Sequence, residues 1–191
     1  MGTTPGGNEI ADSVDVGDAN TYTPAAELEY STTYYVTIVS YNAFGLATGC
    51  TEQSFTTRMP PPPGSSCDVP ILITSFPFSD SNTTAGFDDD YSASPCNNTY
   101  ISGNDVVYEI TPTELISVNI TFDTIVGNRA AIHVVEDCPD VAENCLAYYG
   151  AFNPADQYFE NIILQPNTTY FIVVATSSST TDFNYHLEVT Q

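Results

Sequence analysis

Apolar and polar positions alternate in short runs, and Gly, Asn, Asp and Pro punctuate the runs. Period-two alternation is the signature of a strand with one buried face. In Thr33–Tyr41, Tyr34, Val36 and Ile38 alternate with Tyr35, Thr37 and Val39. The same pattern predicts strands at Glu9–Val16, Thr21–Thr23 and Thr51–Thr57 in the first part of the chain. Later it predicts Val69–Phe78, Asp105–Ile110, Ile116–Phe122, Ala130–Glu136, Gln157–Leu164, Thr169–Thr176 and Asn184–Thr190. Helical periodicity is weak throughout; at most one turn fits Ala25–Leu28 or Asp140–Asn144. Many short strands separated by turn signals predict an all-β chain built of sandwiches or a jelly roll.

One break interrupts this pattern. Residues 58–66 read RMPPPPGSS, and four consecutive prolines favour a stiff, extended spacer. The expected organisation is therefore a short segment, 1–57, a Pro-rich linker, 58–66, and a domain of ordinary size, 67–191.

Charge narrows the function classes. Asp and Glu number 24 against 2 Lys plus Arg, for a formal net charge of -22. Almost nothing is available to neutralise phosphates, so nucleic acid and anionic membranes are excluded as partners. No apolar run approaches the ~20 residues of a membrane-spanning helix, so membrane insertion is not expected. The N-terminal MGTTPGGNEIAD lacks the charged and apolar regions of a secretory leader. A hydrophobic fraction of 42% is nonetheless enough for a folded core.

The five cysteines are Cys50, Cys67, Cys96, Cys138 and Cys145, with no C-x-x-C pair to suggest zinc or thioredoxin-like chemistry. Six residues separate Cys138 from Cys145 around a Pro-Asp turn, so these two read as one disulfide, with Cys67–Cys96 as the second and Cys50 left over. Reduced, buried thiols are the alternative. The absence of Lys and the abundance of Thr, Ser and Asn join the disulfide arithmetic in favouring an extracellular, oxidising setting. Asn82, Asn97, Asn119 and Asn167 open N-x-[ST] triplets, and Ser13 and Thr124 sit in Asp-[Ser/Thr]-apolar triplets typical of a bacterial O-glycosylation signal.

Three groups are candidates for chemistry. Asp88, Asp89 and Asp90 repel one another, and a Ca²⁺ ion held by them with Asp105 would relieve that; a solvated acidic turn is the alternative. Tyr148, Tyr149 and Phe152 form an aromatic loop suited to stacking on sugar rings or anchoring a partner, unless they fill the core. The two histidines, His133 and His186, fall on strands with no nucleophile nearby in sequence. With no phosphate-binding or metalloprotease motif either, the chain reads as non-catalytic.

Two resemblances extend these expectations. Leu28-Glu-Tyr-Ser-Thr32-Thr-Tyr34-Tyr-Val36-Thr-Ile38, followed by Asn42 and Gly45, resembles the late half of a fibronectin type III domain. The resemblance implies that Tyr34 is a corner tyrosine bonded back to nearby backbone, and that the early strands of the sandwich are missing. Either the chain is a piece of a longer one, or another segment completes the sandwich. Thr83–Tyr91, Gly103–Pro112, Cys138-Pro139 with Cys145, and Leu164–Val174 together resemble the bacterial pre-peptidase C-terminal domain, a jelly-roll accessory module of secreted proteins. The expected fold is thus an incomplete fibronectin type III-like sandwich followed by a β-jelly-roll or sandwich domain. The implied role is structural or adhesive, in a large bacterial surface protein that forms filaments with other copies or with neighbouring modules. The alternative is a carbohydrate- or protein-binding accessory module of a secreted hydrolase, with polysaccharide as partner.

Overall fold

The computed structural model describes residues 1–97 and 99–191. The chain forms two compact units, Met1–Pro60 and Pro61–Gln191, and among the described residues all regular structure is β.

The first unit holds β1 (Thr33–Val36), β2 (Tyr41–Asn42), β3 (Gly45–Leu46) and β4 (Gln53–Thr56). β1 and β4 pair antiparallel, with Tyr34 opposite Phe55 and their rings stacked at 5.8 Å. β2 and β3 close a tight hairpin whose turn is held by the Phe44 N–H donating to Asn42 Oδ1. Gly2 bridges to Tyr35 through two backbone hydrogen bonds. Glu9–Val16 and Thr21–Thr23 are not strands, and the expected Thr33–Tyr41 strand stops at Val36. A strand is stabilised by neighbours and by a covered face. Among the described residues of this unit, Tyr34 is the one large hydrophobic side chain that is buried.

The second unit is a two-layer sandwich. Its strands are β5 (Ile71–Leu72), β6 (Phe78–Thr83), β7 (Asp105–Ile110), β8 (Ile116–Val126), β9 (Ala130–Glu136), β10 (Asn144–Ala151), β11 (Gln157–Leu164), β12 (Tyr170–Thr176) and β13 (Asn184–Thr190). One sheet has the order β10-β9-β12-β7-β5 and the other β11-β8-β13-β6, with β5–β7 the one parallel pairing. The interior is filled from both sheets by Val106, Ile132, Ile172 and Val174 on one side and Val118, Phe122, Tyr185 and Leu187 on the other. β8 alternates cleanly between buried and open positions, as one face meets the core and the other meets water.

β12 behaves differently, because all seven of its residues are buried. Its outer face carries Phe171, Val173 and Ala175, which pack with Val107, Val135, Tyr91 and Ile101 in a second apolar layer. The long β6–β7 connection supplies Tyr91 and Ile101 and so covers the outside of the five-stranded sheet. A strand covered on both faces reads as a continuous apolar run, and YFIVVAT is such a run.

Two disulfides fasten this cover, and their pairing corrects the sequence-based expectation. Cys67 bonds Cys138 and Cys96 bonds Cys145, in place of Cys138–Cys145 and Cys67–Cys96. The β9–β10 ladder explains the difference. Cys145 lies within it, opposite Val135, whereas Cys138 sits in the turn beyond its last pair, Glu136 with Asn144. Cys138 therefore faces the outer apolar layer, where Cys67 arrives from the segment before β5. Cys50 is the free cysteine, exposed between β3 and β4.

The end of the proline-rich segment belongs to the second unit. Gly64 is buried, its N–H donates to the Val69 carbonyl at 2.6 Å, and its own carbonyl accepts from the Val107 N–H. Its φ is +91°, and a Cβ there would press on Ile71 and Val106, so only glycine fits comfortably.

The two units share a local device. Leu28-Glu-Tyr-Ser-Thr-Thr-Tyr34 and Leu164-Gln-Pro-Asn-Thr-Thr-Tyr170 carry Leu, Thr, Thr and Tyr at the same spacing. In each, the Tyr hydroxyl accepts a hydrogen bond from a backbone N–H five residues upstream: Glu29 to Tyr34 at 2.9 Å, and Gln165 to Tyr170 at 3.0 Å. The residue three before each Tyr takes a positive φ, 49° at Ser31 and 58° at Asn167. Both tyrosines are thus corner tyrosines that fix the chain as it enters a strand. Tyr170→Phe keeps the buried ring and removes the acceptor. It is expected to cost the second unit about 1 kcal/mol, read as a lower urea midpoint at unchanged slope.

Candidate functional site

The sequence-predicted acidic site does not assemble. Among the described residues, no three His, Cys, Asp or Glu side chains come together in a way that could hold a metal ion. The reason lies in Asp105, the first residue of β7. Its Oδ2 accepts the backbone N–H groups of Asp90 and Tyr91, at 3.2 and 3.0 Å. The carboxyl group thus accepts from the backbone where the acidic run meets Tyr91. Asp105 is fully buried, and its Oδ1 has no hydrogen-bond partner. Burial, reinforced by the nearby Asp89 and Asp90 charges, pushes its pKa from 3.8 to about 8.

The aromatic group also divides. Tyr148 and Tyr149 are not in a loop; they lie in β10, where successive side chains leave opposite faces of the sheet. Tyr148 lies against His133 on the outer side, with ring centroids 4.9 Å apart. Tyr149 packs on the sandwich core, and its hydroxyl accepts from the Ala155 N–H. Phe152 follows the strand, half exposed, with the Arg129 guanidinium 5.0 Å above its ring. No single platform joins the three. Tyr158 is the more open aromatic, 66% exposed on edge strand β11.

His133, expected at the strand surface, is buried beneath the β6–β7 connection. Its Nε2–H donates to the Tyr100 carbonyl at 3.1 Å, and Nδ1 meets Ser94 Oγ at 3.0 Å. Burial lowers its pKa to about 4, so the ring is neutral. It serves as a polar pin for the cover.

Of the glycosylation signals, Ser13 and Thr124 are both exposed and both have positive φ, 51° and 50°. Within the Asn97-Asn98-Thr99 triplet, Asn98 lies outside the described residues.

The outer face of the four-stranded sheet carries a group that the sequence did not disclose. Three adjacent strands, β6, β13 and β8, bring Ser79, His186 and Asp123 together. Asp123 and His186 are cross-strand partners, and Ser79 lies diagonally across from the histidine. His186 Nδ1 is 2.8 Å from Asp123 Oδ1, and His186 Nε2 is 2.9 Å from Ser79 Oγ. A carboxylate only accepts, so Nδ1 carries the proton and Nε2 is free to accept the serine hydroxyl proton. Immediately after Asp123, β8 is bulged: His186 pairs with Asp123 while Asn184 pairs with Val126.

No family model and no curated protein matches the chain.

Chemically, the second unit offers a rigid, disulfide-fastened sandwich and one surface hydrogen-bond relay. The first unit offers exposed apolar surface. Two disulfides of this kind form and persist in oxidising compartments.

Proposed function

We propose that the chain is a structural and adhesive segment of a large extracellular bacterial surface protein, assembling end to end with other copies or with neighbouring modules. The observation that carries this reading is the bare first unit. Its β1–β4 sheet has two strands, and Ile38, Tyr41, Phe44, Leu46 and Met59 of the same unit stand more than half exposed. Exposed apolar surface beside open strand edges favours pairing with another chain. A surface that mates with a different surface of the next copy gives an open, fibre-like assembly. The resemblances to fibronectin type III and pre-peptidase C-terminal modules support the same setting, as do the disulfides and the charge of -22, which keeps such an array hydrated. Exposed Tyr158 and Phe152 favour polysaccharide as a further partner, the role of an accessory module.

Negative-stain electron microscopy and sedimentation of the full chain test the proposal. End-to-end fibres or concentration-dependent oligomers are expected, and Phe44→Asp with Leu46→Asp should disperse them. A monomer at every concentration, with no fibres, would overturn it.

A further inference from the structure

We propose that Ser79, His186 and Asp123 form a nucleophile–base–orienter triad that takes up the acyl group of small, uncharged carboxylic esters. This goes beyond the structural and adhesive role and does not depend on it. A serine is activated when a base lies within hydrogen-bond reach and a third group fixes that base, and these three meet both conditions at 2.9 and 2.8 Å. Such triads are recognised by geometry and not by sequence position. In chain order the three run nucleophile, acid, base.

The local backbone supports the assignment. Thr124, next to Asp123, is a β-branched residue at φ 50°, within the bulge of β8. A β-branched residue there is a true outlier. Bulges re-aim side chains and concentrate at active sites, and this one follows directly the residue that orients His186. Past His186, on the side away from Ser79, the open face continues as a shallow depression lined by Ser81, Thr83, Thr124 and Asn184 among others. Ser81 is the cross-strand partner of His186, and Asn184 shares its face of β13.

The step balances without any metal or cofactor. Ser79 Oγ adds to the ester carbonyl carbon as its proton passes to His186 Nε2. The carbon–alkoxy bond breaks, and the departing alcohol takes that proton. Water then attacks the acyl-serine, giving one proton to Nε2 and releasing the carboxylic acid as Ser79 recovers its own. The histidine and aspartate side chains are only 26% and 21% exposed, while Ser79 is exposed. The site lies on an open sheet face that gives a long chain no walls to pack against, so small esters are the substrate class. The net charge of -22 disfavours anionic esters.

The full chain is treated with a fluorophosphonate probe and with p-nitrophenyl acetate, followed by peptide mapping. The expected result is one label on Ser79, lost in Ser79→Ala and kept in Ser75→Ala, an exposed serine away from the relay. Both His186→Gln and Asp123→Asn should slow acylation, the first by about 100-fold, the lower end of general-base contributions. If His186→Gln does not fold, Asp123→Asn carries the test. No label on Ser79, or labelling at the same rate in the folded His186 or Asp123 variants, would overturn the proposal and leave a cross-strand hydrogen-bond chain.

Discussion

Replacing Cys67 and Cys138 with serine is expected to lower the unfolding free energy of the second unit by about 2–4 kcal/mol. The bond joins residues 71 apart, and closing a loop of that size in the unfolded chain corresponds to about 4 kcal/mol of chain entropy in the simplest model. A native-state effect adds to it. Cys67 and Cys138 pack on the outer apolar layer, and the Cys67 N–H donates to the Tyr91 hydroxyl that helps to build it. Without the bond the cover loosens over Val107, Val135, Phe171 and Val173, which then form an open apolar face. Denaturant unfolding should show the lower midpoint, and hydrogen exchange should show β12 losing protection while β1 keeps its own. The second bond, across 49 residues, should give a slightly smaller loss. Non-reducing peptide maps should return Cys67–Cys138 and Cys96–Cys145. A Cys138–Cys145 peptide would contradict the fold of the cover.

The same cover marks the limit of what the sequence discloses. β7, β9, β11 and β13 occupy the expected residues: in β11 and β13 an apolar face meets the core and alternation reports it, while β7 and β9 are covered on both faces and read as nearly continuous apolar runs. β6 is hidden in Phe78-Ser-Asp-Ser-Asn-Thr, where one apolar residue leaves no pattern. It is a strand because it pairs along β13, and Asp80 is satisfied by the Tyr108 hydroxyl, which also meets that of Tyr185. β10 is masked by its tandem tyrosines and by a register shift between Cys145 and Ala147. The disulfide pairing depends on which face of the β9–β10 hairpin each cysteine occupies, and spacing carries no such information. The relay is hidden for a related reason. Ser79 and His186 are 107 residues apart, and only the β6–β13 register joins them. In the first unit, alternation overstates the strands, since it records a preference for a covered face that this unit does not supply.

Between pH 6.5 and 9 the second unit is expected to lose stability, and Asp105→Asn is expected to abolish most of that loss. Asp105 is fully buried, faces the Asp89 and Asp90 charges, and has its pKa raised from 3.8 to about 8. The folded state therefore holds a proton that the unfolded chain releases near its ordinary value. A group raised in this way contributes its full stabilisation below about pH 4, and the contribution is lost as pH rises through about 8. The slope is about 1.4 kcal/mol per pH unit until the folded group ionises, after which it flattens. His133 and the two buried tyrosines act outside this window. His133, lowered to about 4, contributes with the opposite sign, and its effect is complete by about pH 6.5. Tyr108 and Tyr185 are pushed above their ordinary value of 10.0 by burial, so they act only in stronger alkali. Asparagine reproduces the neutral acid: its oxygen can accept the Asp90 and Tyr91 N–H groups, and it carries no charge into the buried site. Urea unfolding at pH 6.5, 7.5, 8.5 and 9 should show a falling profile for the parent chain and a nearly flat one for the variant, which becomes the more stable of the two at the alkaline end. Parallel profiles would mean that Asp105 folds as a carboxylate and that something other than a proton compensates its buried charge.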